Sequence, residues 1–156
     1  YARLDEGDKA LERLDVLART CVGKNLFTYH NDYRGMGVTL DVILGKRAPY
    51  QIDASMGLTS AIIEMMMSST SDALRIAPAI PKRWIRGKIA TMSARCGCDC
   101  AVSWDYQSAT LEAVLTARDS RDIMVVLPDG YTYQGKQQFP LSMEKGKQYQ
   151  ILAEKR

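Results

Sequence analysis

The chain has 156 residues, about the length of one compact domain, and 46% of them are hydrophobic while 25% are charged. This composition is typical of folded proteins and excludes disordered, collagen-like and coiled-coil chains. The formal net charge is only +3 and basic residues are scattered, so no nucleic-acid partner is indicated. No apolar stretch approaches the roughly 18 residues that a membrane span needs.

The N-terminal part predicts one amphipathic helix. Residues 5–22 place apolar side chains at three- and four-residue spacing, with charged side chains on the opposite face. Asp5 or Asp8 is the predicted N-terminal cap, and Gly23 is the predicted stop.

A second helix is predicted over residues 54–69, with Asp53 as its N-cap and the serine-rich run 68–71 as its end. It is apolar on every side, and Glu64 is its only charge. A helix of this kind must be covered on most sides. Two helices and a small sheet cannot provide that cover, so the segment is interpreted as part of a larger helical assembly.

After Asp72 the hydrophobic period changes to two, which predicts strands. Turns are predicted at residues 105–108 and 128–130. The continuous apolar run 123–127 predicts a central strand covered on both faces. We expect an antiparallel sandwich, a boundary near residues 70–72 and a stiff connection over residues 78–81. The predicted strands cover residues 73–77, 88–95, 98–104, 110–117, 123–127, 139–143 and 148–153.

Cys96, Cys98 and Cys100 form the most conspicuous cluster, because alternation places three thiols on one strand face. A zinc site calls for further ligands, and the chain's one His is distant in sequence. We therefore interpret the three thiols as small buried hydrophobic groups, and Gly97 as a bulge or close-packing position. No metal or cofactor is predicted.

Two polar regions are candidates for chemistry. His30 lies in a loop, residues 25–35, that is dense in aromatic and hydrogen-bonding side chains. Tyr29, Tyr33 and Tyr50 can offer flat faces to a sugar, and polar neighbours of His30 can bind hydroxyls. The alternative is an ordinary polar surface loop. Asp53 is either a simple helix cap or an ionised general base held at a helix N-terminus.

Several ordered segments resemble glycoside hydrolase family 95, whose members are mostly α-L-fucosidases. The segment around Asp53 resembles the family's aromatic-Gln-Ile-Asp motif, and an apolar helix and a Pro-rich stretch ending in Trp84 follow it. The resemblance extends from residue 1 to about residue 127. The segments that carry it are residues 1–4, 25–30, 50–57, 61–65, 74–84, 93–97 and 102–104.

The resemblance implies an α+β fragment. Residues 1–71 would be the last helices of an (α/α)6 catalytic barrel, and residues 72–156 an antiparallel β-sandwich. Asp53 would take the place of the catalytic Asp that backs the water-activating Asn residues of an inverting hydrolase. His30, Tyr50 and Gln51 would contact the carbohydrate substrate. The general-acid Glu would lie on earlier helices, so the isolated chain is expected to be inactive, with the rest of the barrel as its partner.

The chain departs from the family pattern beside the expected site. Ala54 and Ser55 replace the usual Gly-Asn, Thr28 replaces an Asp, and extra residues precede Arg47. These changes are compatible with altered sugar specificity or with lost activity. The compartment stays open: any secretory signal is expected to precede Tyr1, and secretion or a periplasmic location fits the resemblance.

Two alternative hypotheses give the sandwich a role that involves no catalysis. In the first, the sandwich is a carbohydrate-binding module that presents Tyr106, Tyr131 and Tyr133 to a polysaccharide. In the second, it is a structural domain whose large apolar face supports the helices.

Overall fold

The computed structural model describes residues 1–29 and 50–155. A single 3-10 turn, Ala2–Leu4, precedes helix α1, Gly7–Cys21, and the other described helix is α2, Ile52–Met66. Neither α1 nor α2 is long and apolar enough to cross a membrane. The strands are β1 Met67–Ser69, β2 Ala73–Ile76, β3 Arg86–Ala94, β4 Cys98–Asp105, β5 Thr110–Ala117, β6 Arg121–Val126, β7 Tyr131–Thr132, β8 Gln138–Met143 and β9 Gln148–Lys155.

The strands form two sheets, and nearly all neighbours are antiparallel. The four-stranded sheet has the order β1-β2-β6-β8, and the five-stranded sheet has the order β3-β4-β5-β9-β7. β2 and β6 pair in parallel, since the chain passes through three strands of the other sheet between them. The mostly antiparallel, sandwich-like arrangement agrees with the strand pattern, whereas the parallel pair and the short strand β7 were not predicted.

The core lies between the sheets, and alternation along β4 decides which side chains enter it. Cys98, Cys100, Val102 and Trp104 are buried, while the residues between them are only partly covered. This confirms the predicted inward face. β6 is a central strand as predicted, since it lies between β2 and β8. The predicted cover on both faces was wrong, because Met124 is 40% exposed between buried Ile123 and Val125.

The capping predictions for α1 were wrong because the carboxylates of Asp5 and Asp8 bind groups outside the helix. The N-cap is Glu6, which makes no side-chain capping hydrogen bond. Asp5 pairs with Arg75 instead, and Asp8 accepts a hydrogen bond from the Lys82 N–H at 2.9 Å. At the other end the helix stops at Cys21 and the next residue is extended, so Gly23 does not terminate it.

Helix α2 begins and ends earlier than predicted. Gln51 is its N-cap and Asp53 lies in its first turn, so Asp53 is not the cap. The helix ends at Met66 because β1 follows immediately and pairs with β2. The first strand of the four-stranded sheet therefore precedes residue 72, where the sandwich was expected to begin.

The two helices are fixed to the sandwich at the loop after β2. The N–H groups of Ala77 and Ala79 donate to the carbonyls of Met66 and Met65, at 2.8 and 3.0 Å. The Met65 side chain is fully buried in a small core with Ala79 and residues of α1. Backbone hydrogen bonds and apolar packing thus hold α2 to the sandwich at its C-terminal end, whereas Asp53 at the N-terminal end is exposed.

Candidate functional site

The candidate site lies where the loop over residues 22–29 meets the N-terminus of α2. Tyr29 pairs with Tyr50 in an antiparallel bridge, and the Gln51 N–H donates to the Thr28 carbonyl at 2.9 Å. These contacts bring Tyr50, Gln51 and Asp53 to one end of the helix, beside the aromatic loop. The sequence-predicted residues in the described part of the chain therefore lie together.

Two hydroxyls, those of buried Thr28 and half-buried Ser55, join the loop to the helix. Thr28 is fully buried, and its hydroxyl donates to the Gln51 carbonyl. The Thr28 Oγ1 lies 2.8 Å from the Ser55 Oγ. Because the single Thr28 proton is already donated to the carbonyl, Ser55 is the donor in this second bond. The Thr28–Ser55 pair fixes the backbone of Gln51, two residues before Asp53.

The side chains around this end of α2 are exposed. Tyr50 is 46% exposed and its ring contacts Phe27, with centroids 4.8 Å apart, and the edge of Tyr29 at 6.4 Å. Asp53 is exposed, and within residues 1–29 and 50–155 its carboxylate has no hydrogen-bond or ion-pair partner. The N-terminal turn of a helix favours a negative charge at this position. An exposed carboxylate next to an exposed aromatic surface is suited to bind a polar ligand.

His30 lies outside the described residues, and so do its polar neighbours and Tyr33. Its contact with substrate stays a prediction.

Glu64, the Glu of α2, does not have the raised pKa that a general acid requires. Burial raises the pKa of its carboxyl, but hydrogen bonds from Arg3 and Ser68 outweigh this, and the net pKa lies below its usual value. The Arg3 Nη2 lies 3.1 Å from its Oε1. A general acid needs a raised pKa to carry a proton at neutral pH, so Glu64 is unsuited to that role.

Helix α2 is not covered by the rest of the described chain. Met56 is 66% exposed, Ile52 59% and Ile63 40%. An open groove of about 560 Å³ also runs between the 3-10 turn, α1 and α2. Its walls are largely apolar and include Ala10, Leu14, Leu17, Ala54, Leu58 and Ala61. The surplus of apolar surface that the sequence indicated for this helix is present in the structure.

The tyrosines proposed as a polysaccharide platform are buried or partly buried. Tyr131 is only 4% exposed, Tyr106 packs on the core and donates its hydroxyl to the Ile80 carbonyl, and Tyr133 packs against Phe139. Burial raises the pKa of the Tyr106 hydroxyl to about 12. Tyr131 is therefore excluded as a binding residue, and Tyr106 and Tyr133 are only partly exposed.

The cysteine cluster is buried, as interpreted from the sequence. Cys96, Cys98 and Cys100 are each fully buried. Gly97 does not form a bulge: it has φ of +79° in the turn between β3 and β4. The close-packing alternative is confirmed, because an added methyl group would lie 3.0 Å from side-chain atoms of Asp119 and Arg121. The bulge lies earlier, between Ile89 and Met92. In the part of the chain that the structure describes, no group of three acidic, His or Cys side chains is arranged to hold a metal ion.

We expect Thr28→Val to destabilise the chain by about 1–3 kcal/mol, since it removes two hydrogen bonds of the fully buried Thr28 hydroxyl, one to the Gln51 carbonyl and one to the Ser55 hydroxyl. Thr59→Val on the exposed face of α2 is the matched control and should change stability by less than about 0.5 kcal/mol. Urea denaturation of the two variants measures the difference. Equal midpoints would show that the Thr28 hydroxyl contributes nothing to fixing the loop.

Sequence reasoning missed the Thr28–Ser55 pair as a structural unit. Each residue had been noted alone, as a departure from the pattern that the sequence resembles. The available signal was that both positions carry a short hydroxyl side chain where the family pattern has a longer polar one, Asp at Thr28 and Asn at Ser55. The two residues are 27 positions apart in sequence. Such a coincidence indicates a contact only when the fold is already known.

Comparison with known proteins gives two matches. The family described as "Glycoside hydrolase family 95, C-terminal domain" matches residues 68–155, which include all of β2 to β9. Among curated proteins, the Arabidopsis thaliana protein "Alpha-L-fucosidase 2" is 37% identical over 57 residues. That match covers 36% of this chain but only 7% of the relative's own length.

Proposed function

This chain belongs to glycoside hydrolase family 95, and from that premise we propose that it is the C-terminal part of an inverting α-L-fucosidase-like enzyme. The observation that carries the proposal is the family match over the whole β-rich part. Residues 1–71 then hold the last helices of the (α/α)6 catalytic barrel together with β1, the first strand of the sandwich, and residues 72–156 are the rest of the C-terminal β-sandwich. The substrate is a carbohydrate with a terminal fucosyl or related sugar.

The uncovered surface of α2 supports its place in a barrel. Apolar side chains such as Met56 and Ile52 face away from the sandwich, and the apolar groove lies between α1 and α2. An exposed apolar surface of this kind marks a contact with another part of the protein. In the proposed enzyme, earlier barrel helices cover this surface, and they carry the general-acid Glu.

Asp53 is the catalytic residue proposed for this chain. An inverting hydrolase needs an acid and a base about 6.5–9.5 Å apart, with a water molecule between the base and the sugar. Asp53 lies in the first turn of α2, where the helix dipole favours its charged form, and no described residue neutralises it. It orients or activates the attacking water, which requires a negative charge at a fixed position.

Three further residues are proposed to line the sugar subsite. Tyr50 offers an exposed ring to the C–H groups of the sugar, and its orientation is fixed by its contacts with Phe27 and Tyr29. Gln51 and His30 supply polar groups for the hydroxyls. The sandwich holds the C-terminal end of α2 through Met65 and Met66, so its role in the enzyme is to anchor the helix that carries Asp53.

The proposal is tested with the full-length protein and an aryl α-L-fucoside. Proton NMR at early times should show β-L-fucose as the first product, before mutarotation, because water attacks from the face opposite the leaving group. Residues 1–156 alone should release no product. First appearance of the α-anomer would contradict the inverting mechanism, and hydrolysis by the isolated chain would contradict the assignment of the general acid to earlier helices.

A further inference from the structure

The turn between β3 and β4 brings two thiols together. The Sγ atoms of Cys96 and Cys98 are 3.7 Å apart, and both side chains are fully buried. Gly97 between them adopts φ of +79°, a conformation that favours glycine. The turn is thereby bent so that Cys96 lies beside Cys98. Closing the pair to the bond length of a disulfide requires the sulfurs to approach by about 1.7 Å.

Charged side chains lie around this turn: Arg118 pairs with Asp99 and Arg121 with Asp119, each at 3.5 Å. The N–H groups of Arg118 and Asp119 donate to the Gly97 carbonyl, at 2.8 and 3.2 Å. A methyl group at Gly97 would lie 3.0 Å from the Arg121 Nε, so this guanidinium rests on the turn. Arg118 and Arg121 are themselves 47% and 37% exposed. A small oxidant reaches the two buried thiols only when side chains around the turn move aside, and the partly exposed arginines are the ones freest to do so.

The two thiols differ in acidity, as the partners of a reactive pair do. A hydrogen bond with Cys98 lowers the pKa of the Cys96 thiol to about 7, and Arg121 and Arg118 add to this effect. The same hydrogen bond, together with burial, raises the pKa of Cys98. Near neutral pH one sulfur is a nucleophilic thiolate and the other retains its proton, and an electropositive environment is typical of reactive cysteines.

We propose that Cys96 and Cys98 form an oxidisable dithiol site that hydrogen peroxide converts to a reversible disulfide. The Cys96 thiolate attacks one peroxide oxygen, the O–O bond breaks, and the departing hydroxide takes a proton to become water. Cys96 is then a sulfenic acid. The Cys98 sulfur attacks the Cys96 sulfur, the S–O bond breaks, and water leaves with the Cys98 proton. Two thiols lose two electrons, and the peroxide is reduced to two water molecules.

Cys100 is excluded from this chemistry although it shares the same strand face. Burial raises the pKa of its thiol to about 12, and the thiol donates to the Ala101 carbonyl. It is therefore a matched control: a fully buried cysteine two residues further along β4 that lacks the acidic partner. A disulfide between residues so close in sequence is strained, which makes it easy to reduce again.

The test uses the full-length protein, reduced and then exposed to hydrogen peroxide under native conditions. Free thiols are blocked with N-ethylmaleimide in denaturant, and the peptides are analysed by mass spectrometry. We expect the peptide with Cys96 and Cys98 to lose the mass of two hydrogen atoms and to take up no maleimide at either residue. Dithiothreitol should restore both sites, and Cys100 should be blocked by maleimide throughout.

Variants separate this result from nonspecific oxidation. Cys98→Ser should abolish the disulfide, and Cys100→Ser should leave the yield unchanged. Because the thiolate reacts, the oxidation rate should fall about tenfold per pH unit below pH 7 and level off above it; the charges facing Cys96 are those of Arg118, Arg121 and Asp119. A Cys98–Cys100 disulfide, stable over-oxidation of Cys96, or reaction only after unfolding would overturn the proposal. None of these readouts depends on fucosidase activity.

Discussion

Replacing Asp53 by Asn in the full-length enzyme is expected to lower kcat at least about a hundredfold, the lower end of the contribution of a positioned general base. Stability should change by no more than about 0.5 kcal/mol, because Asp53 is exposed and makes no capping hydrogen bond. Asn keeps the size of the side chain but cannot hold the charge that a bound water needs. Steady-state kinetics and a thermal melt of the same preparation measure both effects.

Asp8→Asn is the matched control for this prediction. Asp8 is the second residue of α1, as Asp53 is the second residue of α2, so both carboxylates experience a helix N-terminus in the same way. The amide oxygen of the substituted side chain can still accept the hydrogen bond from the Lys82 N–H. We expect this variant to keep full activity. Turnover that survives Asp53→Asn, or falls equally in both variants, would show that Asp53 is a structural residue.

The strands were predictable because burial of one face of a sheet makes apolar and polar residues alternate along each strand. β4 and β5 follow the expected alternation, and the hairpin between them uses Asp105, whose carboxylate accepts from the Gln107 and Ser108 N–H groups. Pairing between strands distant in sequence leaves no such local trace. The parallel contact of β2 with β6, which places Leu74 opposite Val125, became visible only in the fold.

The helix ends were less predictable, because polar side chains near a helix start have several possible partners. Asp5 and Asp8 have the right residue type for caps, yet Arg75 and the Lys82 N–H bind them. The candidate site shows the same limit. The motif around Asp53 was visible in the sequence, but the Thr28–Ser55 pair that fixes its backbone depends on a contact between two segments with no shared local pattern.

Gly7→Ala is expected to have the largest effect on stability, destabilising residues 1–156 by about 2 kcal/mol or more. A methyl group on Gly7 would lie 2.4 Å from the Ala79 carbonyl oxygen and 2.7 Å from its carbon. These are backbone atoms that the Ala79–Met65 hydrogen bond holds in place. The helix must therefore move away from the sandwich, which outweighs the gain of about 0.5–1 kcal/mol that Ala normally brings to a helix. Urea denaturation measures the change.

Gly57→Ala is the control, and it also tests the barrel. Nothing lies within 4 Å of the methyl group that this change adds to α2, so the isolated chain should gain about 0.5–1 kcal/mol. Gly57 lines the apolar groove that earlier helices are proposed to cover. In the full-length protein those helices would meet the added methyl group, and the gain should disappear or reverse. An equal gain in both proteins would mean that no helix packs closely on this part of α2.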